Sequence, residues 1–597
     1  MSNSSSEEHP FDKSCDVLII GAGLAGSCLA RQLHFQMPDL SITVIDKKTS
    51  FDYWVGESTL PPWADYAARY LRLGSYLWKK HFMKHGLRFF FDNEGKDLSF
   101  DEMSEHGRRH YSTVVSFQLD RATFDRDMVE MNRELGIEVL LGCRVLHRNG
   151  TIAPGTAMPG VRIDGEQGHV VETSQGTIRC RWLVDAAGLH SPVARNLATV
   201  VDDFERLPVG TYWARYTDIN DMDHLGSDEW RRRVAYTDRN LSTNHYMYRG
   251  YWIWQIPITD RVTSLGVVFD HTKAPLKMKS ADDLTAFFKE HRWGRELLGK
   301  DPKALDFLGL KRLPRYVEEF ASTDRWFLTG MSNSVVEPLF SSTCVFIAFS
   351  NLLIGEMIKR DRAGEQKVFE SHVEHFNIFY RAAYEGFINT MDYNGHGSFE
   401  GWALYRSTFL NNGLNRVVRA FNEDLAKVIA ISEAHVDGCD CSLEGYLDRM
   451  LVKGLPGALR RMKDEYVDYL DEKQAYYELN ANEFLESTER PSLRYNWWRP
   501  QSQDQLISED QITYQGMFRC YTEQMAEREG IAWNERAFVQ HFNPDFSQGQ
   551  RIAAVVAAMK AANEAGLEPG STENVWHPSG PPDPTVTGWR RAYRAAK

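Results

Sequence analysis

Near the N-terminus, a short apolar run ends directly in closely spaced glycines. The run Cys15–Ile20 has the character of a buried strand. It is followed in a GxGxxG pattern by Gly21, Gly23 and Gly26, and Asp46 lies twenty residues further on, at the end of the next apolar run. Such glycines let the backbone approach a pyrophosphate at a helix N-terminus, and the acidic side chain accepts a hydrogen bond from a ribose hydroxyl. The sequence therefore predicts a Rossmann-type βαβ unit that binds a dinucleotide.

Chain length and residue pattern predict an α/β protein with more than one packed region. The 597 residues exceed what one ordinary core holds. Strand-like runs recur over about 205–320, and the pattern turns helical from about 350. We predict a disordered lead over 1–13, a Rossmann-type domain with an inserted β-sheet substrate region over 14–360, and a mainly helical C-terminal region over 361–597.

Charge and cysteine usage narrow the partners and the compartment. The formal net charge of −13 argues against nucleic acid, whose phosphates need a basic face. The eight cysteines show neither disulfide nor zinc-site spacing, so we predict no metal site and a cytoplasmic protein with reduced thiols. We find no stretch that approaches the roughly 18 uncharged apolar residues of a membrane span, and we predict no membrane association.

Two further segments follow the glycines in an order typical of flavin enzymes. Gln118–Phe124 reads QLDRATF and resembles the QxDRxxFD segment of flavin monooxygenases and halogenases. Asp185–Gly188 reads DAAG and resembles their DAxG fingerprint. The resemblance places Arg121, Asp185 and Gly188 near the cofactor and implies FAD rather than NAD. Because no second glycine fingerprint for a nicotinamide cofactor follows, it also implies that a separate flavin reductase supplies the reduced FAD.

The segment Trp252–Pro257 reads WIWQIP and matches the WxWxIP signature of flavin-dependent halogenases. By motif and layout, the chain is most similar to the larger halogenases of the aminopyrrolnitrin and chlortetracycline type. In that family the positions of Trp252 and Trp254 lie beside the passage between flavin and substrate. The resemblance implies that a flavin hydroperoxide oxidises chloride or bromide to hypohalous acid, which halogenates an electron-rich aromatic natural product, free or carrier-bound, as in antibiotic biosynthesis.

Two segments that resemble the same family supply further catalytic candidates. Gly56–Pro61 reads GESTLP and is similar to the family's GESxxP, which makes Glu57 a candidate. His81–Gly86 aligns with the family segment that carries the essential lysine, here Lys84. A lysine suits this chemistry because its pKa shifts on desolvation and its donors rotate, so that it can hold hypohalous acid or form a haloamine.

The segment Glu337–Thr343 reads EPLFSST and resembles the family's DPLFSxG at the flavin ring. The resemblance assigns Pro338 to the cofactor site and Ser342 and Thr343 to the halide site. Phe340 stands where the tryptophan-specific branch carries a glutamate. Its presence implies a substrate among phenols, pyrroles and carrier- or scaffold-bound rings.

Two departures from the family pattern leave other functions open. Gly330 aligns with a cofactor-contacting glycine, but Met331 replaces the aspartate that holds the ribityl chain in most relatives. Thr343 replaces a glycine that lets a backbone N–H approach halide, and its Cβ would narrow the pocket or require a different backbone conformation. The alternatives are a flavin oxygenase or oxidase that does not use halide, and a non-catalytic flavoprotein or partner in a tailoring complex.

Overall fold

A computed structural model describes residues 12–107, 116–146, 160–198, 200–232, 234, 238–391, 425–436, 484–486, 526, 530–534, 537 and 551–566. The strands in these ranges are β1 (Lys13–Ile20), β2 (Ile42–Asp46), β3 (Phe82–Lys84), β4 (Leu87–Phe91), β5 (Ser104–Gly107), β6 (Ser116–Gln118), β7 (Glu138–Leu141), β8 (Val161–Arg162), β9 (His169–Thr173), β10 (Gly176–Asp185), β11 (Val200–Asp202), β12 (Val209–Thr217), β13 (Thr243–Tyr248), β14 (Tyr251–Pro257), β15 (Thr263–Asp270), β16 (Lys303–Ala304), β17 (Leu308–Leu310), β18 (Arg315–Val317), β19 (Trp326–Leu328), β20 (Ser334–Val335) and β21 (Phe484–Glu486).

The α-helices in the same ranges are α1 (Leu24–Gln36), α2 (Pro61–Arg69), α3 (Gly74–Lys80), α4 (Arg121–Glu134), α5 (Pro192–Leu197), α6 (Asp228–Arg232), α7 (Ala281–Glu290), α8 (Arg292–Leu298), α9 (Ser342–Arg362), α10 (Gln366–Met391), α11 (425–436) and α12 (Arg551–Glu564). Short 3₁₀ turns lie at Gly188–His190, Met222–His224, Arg239–Leu241 and Gly330–Ser332.

The first sheet is built around β1. Its strand order is β7-β2-β1-β10-β9-β8, and β19 also pairs with β10. β1 pairs in parallel with β2 and β10, and Val17, Leu18 and Ile19 are completely buried, as is typical of a central strand in a parallel sheet. Parallel strands bring their carboxyl ends to one edge, where α1 begins immediately after β1. The predicted α/β fold with a Rossmann-type βαβ unit is confirmed.

The second sheet carries the tryptophan-rich strand β14 in its interior. Its strand order is β16-β12-β15-β14-β13-β4-β5-β21, and β17 also pairs with β12. Most of its strands come from the predicted β-rich stretch 205–320, but β4 and β5 come from much earlier in the chain. β4 and β5 belong to this sheet because β4 pairs in parallel with β13. The pairing places the strand after Lys84 beside the strand before Trp252. Local periodicity does not reveal such a long-range parallel pairing.

Helix α9 runs through the protein interior. It begins at Ser342, earlier than the predicted onset of helix near 350, and the predicted domain boundary at 360 falls within it. α9 is long and apolar enough to cross a membrane by length and composition, contrary to the sequence expectation, but 83% of its most apolar window is buried inside the protein. That burial is typical of a core helix.

Aromatic side chains join α10 to the rest of the core. Tyr380 lies with its ring centroid 4.9 Å from that of Phe320 and 5.3 Å from that of Phe346 on α9. The ring centroids of Tyr384 and Tyr316 lie 4.6 Å apart. β1 begins at Lys13, within the predicted disordered lead, and residues 1–11 and most of 361–597 lie outside the described residues. The predicted domain division stays a prediction.

We expect a chain that ends after Arg362 to be insoluble. Removing α10 exposes the apolar faces of Phe320, Phe346 and the rest of α9, and large exposed apolar patches cause aggregation. The measurement compares the soluble fraction and the size-exclusion profile of the truncated chain with those of the full-length chain. A soluble monomeric fragment that binds FAD would show that the C-terminal region is an independent domain.

Candidate functional site

The glycine turn after β1 combines close backbone packing with open space. Gly21 has φ +113°, and a Cβ there would lie 2.5 Å from the carbonyl oxygen of Ala186. A Cβ on Gly26 would lie 1.9 Å from the carbonyl oxygen of Gly21. A Cβ on Gly23 would have no described protein atom within 4 Å. The turn is therefore packed on two sides and open at Gly23, at the N-terminus of α1, where a pyrophosphate binds in this type of fold.

Asp46 lies at the carboxyl end of β2, beside this turn. Its Oδ2 accepts a hydrogen bond from the backbone N–H of Ala22 (2.8 Å), and its Oδ1 accepts one from that of Lys48 (2.8 Å). These contacts fix the carboxylate next to the glycine turn and leave further lone pairs for a ribose hydroxyl.

Asp185 organises the second fingerprint at the end of β10. Its buried carboxylate accepts hydrogen bonds from the N–H of Ala187 (2.9 Å), the hydroxyl of Ser191 (2.6 Å) and the N–H of Val193 (2.8 Å). Burial raises the pKa of Asp185 above its usual value, although these hydrogen bonds oppose the shift. Asp185 therefore shapes the loop that faces Gly21 rather than pointing outward to a ligand.

The Gly330–Ser332 turn contacts the Asp185–Gly188 segment through Ser332, which no sequence motif singled out. Gly188 donates its N–H to the hydroxyl oxygen of Ser332 (2.9 Å), and the Ser332 hydroxyl also lies 3.3 Å from Asp185 Oδ1. Gly330, two residues earlier, packs against α1, since a Cβ there would lie 2.8 Å from the Cβ of Ala25. The Gly330–Ser332 turn thus adjoins both nucleotide fingerprints, although Met331 replaces the usual aspartate.

Arg121 and the segment before Glu57 are held together. The buried Arg121 guanidinium makes a two-pronged ion pair with Asp125 (3.1 and 2.7 Å) and donates to the carbonyl oxygen of Val55 (2.8 Å). Its Nη1 lies so close to Gly56 that a Cβ on this glycine would be 2.9 Å away. Arg121 thus fixes the chain that leads into the GEST segment.

Glu57 lies in a buried ion pair. Its Oε1 is 2.6 Å from Arg215 Nη2, and both side chains are almost completely buried. Arg215 Nη1 also contacts Asp306, at 3.0 Å. Because the Glu57 carboxylate is paired with Arg215 on β12, this geometry suits a residue that fixes the Gly56–Pro61 segment to that strand. The predicted catalytic role of Glu57 stays a prediction.

Lys84 ends β3 and is completely buried. Its Nζ donates to Ser58 Oγ (2.7 Å) and to the carbonyl oxygen of Thr59 (2.7 Å), and among the described residues no carboxylate pairs with it. Burial lowers the pKa of Lys84 to about 7. With two donors used, the ammonium form leaves one N–H for a ligand and the amine form leaves its lone pair.

Ser58 connects three of the predicted segments. Its hydroxyl oxygen accepts from Lys84 Nζ and from Ser341 Oγ (3.0 Å), and it lies 2.7 Å from Thr243 Oγ1 at the start of β13. Because a hydroxyl oxygen has two lone pairs, both are taken, and its own proton goes to Thr243. Ser58 therefore places Lys84 beside the turn that leads into α9.

Trp252 is joined to the same turn by a buried carboxylate. Its indole N–H donates to Glu337 Oε1 (2.6 Å), and Glu337 Oε2 accepts the N–H of Leu339 (3.0 Å). Burial raises the pKa of Glu337 to about 8, although the two hydrogen bonds oppose the shift. Glu337 thus fixes the WxWxIP strand to the segment predicted at the flavin ring.

The indole ring of Trp254 occupies the space over Gly266 on the neighbouring strand β15. Its indole N–H donates to Ser264 Oγ (3.1 Å), and a Cβ on Gly266 would lie 2.2 Å from its ring. The rings of Trp252 and Trp254 have centroids 5.9 Å apart. Both indoles are buried and fixed in place. Their position beside a passage between flavin and substrate stays a prediction.

The N-terminus of α9 is the predicted halide site. Ser341, just before the helix, has φ 53°, and the carbonyl oxygen of Pro338 accepts its N–H (2.9 Å) in a tight turn. Thr343 is the second residue of α9, so its backbone is helical and the left-handed conformation belongs to Ser341 instead. The hydroxyl oxygen of Ser342 is buried without a hydrogen-bond partner in the described part of the chain. A helix N-terminus with such a hydroxyl can bind an anion.

These residues form two adjoining groups. The open glycine turn, Asp46 and the Asp185 loop fit the nucleotide part of FAD, because the turn leaves space over Gly23. Lys84, Trp252 and the orphaned hydroxyl of Ser342 gather where α9 begins. The arrangement defines a flavin-binding enzyme of the Rossmann type with a buried lysine held near the start of α9.

Comparison with known proteins identifies the family. The tryptophan halogenase family profile matches residues 16–90 and 93–424. The flavin-dependent halogenase chlA of Dictyostelium discoideum is 27% identical over 427 residues, 65% of this chain and 68% of the relative. The tetracycline 7-halogenase of Kitasatospora aureofaciens is 25% identical over 67% of this chain and 72% of its own. The chain belongs to the tryptophan halogenase family.

Solved structures show the same fold. The halogenase PltM aligns with a TM-score of 0.57 at 17% identity, over 86% of this chain and 96% of its own. The flavin-dependent brominase Bmp2 aligns with a TM-score of 0.55 at 20% identity, over 77% of this chain and 100% of its own. As a member of this family, the protein is a flavin-dependent halogenase-like oxidoreductase whose cofactor is FAD and whose co-substrate is halide.

Replacing Gly23 by valine should abolish FAD binding without unfolding the protein. The new side chain meets no described protein atom but fills the space over the turn. We expect the melting temperature of the FAD-free variant to match that of the FAD-free wild type, while fluorescence titration detects no bound FAD. Full FAD occupancy in Gly23→Val would contradict the placement of the pyrophosphate.

The stability of Glu337→Gln relative to the wild type should increase with pH. The folded wild type keeps Glu337 protonated to about pH 8, whereas the unfolded chain releases the proton near the ordinary glutamate pKa of 4.5. The wild type therefore loses stability as the pH rises from 4.5 to 8, by up to about 1.4 kcal/mol per pH unit, and the amide does not. Denaturant unfolding at pH 5 and pH 8 measures this difference, and a difference that is constant with pH would contradict the buried, protonated carboxyl.

Proposed function

We propose that this protein halogenates an electron-rich aromatic natural product, or a biosynthetic intermediate, with hypohalous acid that Lys84 holds. Bound reduced FAD, supplied by a separate reductase, would provide the oxidising equivalents from O2 that convert chloride or bromide to this oxidant. The observation that carries the proposal is the buried Nζ of Lys84, hydrogen-bonded to Ser58 and so linked to the turn at Ser341.

The geometry supports a role for Lys84 after halide has been oxidised. A pKa of about 7 keeps both the ammonium and the amine populated near neutral pH. The ammonium can donate its remaining N–H to the oxygen of hypohalous acid and polarise the O–X bond. The amine can instead take X⁺ from HOX, forming a haloamine and water, and the ring carbon then takes X⁺, loses a proton and restores the amine.

The start of α9 supports halide binding despite Thr343. The helix N-terminus and the Ser342 hydroxyl can stabilise an anion, and the helical backbone of Thr343 needs no unusual conformation. Trp252 and Trp254 would exclude water and bulky substrates from the passage toward Lys84.

The substrate class is inferred from Phe340 and from relatives. Phe340 is buried in the apolar core beside Leu339, where the tryptophan-specific branch carries a glutamate, so we propose a phenol, pyrrole or similar ring. One relative is a 1H-pyrrole-2-carbonyl-[peptidyl-carrier protein] chlorinase, 26% identical over 58% of this chain. A carrier-bound substrate is therefore part of the proposal.

Lys84→Ala should abolish halogenation while reduced flavin is still reoxidised by O2. The lysine contacts Ser58 and Thr59 and acts on the oxidant, so its loss removes the last step alone. The measurement is halogenated product by mass spectrometry, with FAD, a flavin reductase, halide and an electron-rich phenol or pyrrole panel. Lys80→Ala, an exposed lysine nearby, is the matched control and should retain wild-type yield.

Retained halogenation in Lys84→Ala would remove Lys84 from the mechanism. If the wild type oxidised the panel without halide-dependent product, the halogenase proposal would fail and a flavin oxygenase would replace it. If the wild type reoxidised flavin but changed no substrate with or without halide, a non-catalytic flavoprotein would be the better account.

A further inference from the structure

Three helices outside the flavin site bring one histidine and two glutamate side chains together. Glu356 lies on α9, His372 on α10 and Glu433 on α11. One carboxylate oxygen from each glutamate and one ring nitrogen of the histidine lie within 4.8 Å of one another. None of the three belongs to a motif identified in the sequence, and their separation along the chain hides them from spacing rules. The cluster therefore needs its own explanation.

The imidazole of His372 has one hydrogen-bonded ring nitrogen and one ring nitrogen without a described partner. Its ring is completely buried, and Nδ1 lies 2.8 Å from Ser432 Oγ. Nε2 is buried and has no hydrogen-bond partner in the described part of the chain. In the tautomer whose Nδ1–H donates to Ser432 Oγ, Nε2 carries a free lone pair, and this is the tautomer that metal-ligating histidines adopt.

Arg360 neutralises the carboxylates but leaves the imidazole unsatisfied. Its guanidinium donates to Glu356 Oε1 (2.9 Å) and to Glu433 Oε1, and also to Glu365 Oε2 (2.7 Å). An ion-pair cluster alone thus explains the two glutamates but not the unpartnered, buried Nε2 of His372. A divalent cation would satisfy all three groups, and Arg360 would keep Glu365 as its partner.

We propose that Glu356, His372 and Glu433 bind one first-row divalent metal ion of the zinc type. One nitrogen and two carboxylate oxygens suit such an ion, and water completes the coordination. Glu356 lies fourteen residues along α9 from Ser342, or roughly 20 Å at 1.5 Å per residue. At that distance the ion takes no part in halogenation, and it joins α11 to the helix that begins at the halide site.

The test is Zn²⁺ binding to the full-length protein after treatment with a chelator. Competition with a chromophoric chelator should show one equivalent bound, and the melting temperature should rise with added Zn²⁺. His372→Ala and Glu433→Gln should each weaken binding at least tenfold. Arg360→Gln should strengthen it, because the side chain that competes for both carboxylates is gone.

His375→Ala is the matched control, since it removes a buried histidine one turn along α10 that is not in the cluster. It should keep the bound equivalent. Circular dichroism and FAD binding show that each variant is folded, independently of halogenation. No stoichiometric Zn²⁺ in the wild type, equal binding in His372→Ala, or weaker binding in Arg360→Gln would each overturn the proposal and leave an ion-pair cluster.

Discussion

The hydrogen bonds that converge on Ser58 Oγ join three distant segments of the chain around Lys84. Lys84 on β3, Ser341 before α9 and Thr243 on β13 come from distant parts of the chain, and all three bond to this one hydroxyl. A buried ammonium without a carboxylate partner is costly, so its position depends on these neutral partners. Since no carboxylate among the described residues pairs with Lys84, burial brings its pKa near 7, where both protonation states are available.

A second buried contact has the same function on the other side of the turn. Glu337 joins Trp252 to Leu339, and thus the strand of the WxWxIP signature to the segment that begins α9. With Ser58 it fixes the turn from both sides, and α9 then runs through the core as a rigid element. The lysine and the strand that carries Trp252 are therefore held beside one helix N-terminus by these two polar contacts.

Much of this arrangement could be predicted from the sequence. The glycine turn and Asp46 follow from the strand, turn and helix pattern, because backbone geometry there permits few residue types. The contacts of Ser332, Arg215 and Glu337 could not, because each joins segments far apart in the chain and no local pattern records a partner. The pairing of β4 with β13 escapes local patterns for the same reason. The sequence also suggested that Thr343, in place of a family glycine, would need a different backbone conformation. In the structure the left-handed residue of that turn is Ser341, and Thr343 is helical.

The halide site that we propose lies where α9 begins, next to the turn that Ser58 and Glu337 fix. Anomalous diffraction from crystals of the FAD-bound protein soaked in bromide tests it most directly. We expect a bromide peak within hydrogen-bonding distance of the Ser342 hydroxyl and the backbone N–H groups at the start of α9. Well-ordered FAD with no bromide at that helix end, or with bromide bound elsewhere along the flavin, would contradict it.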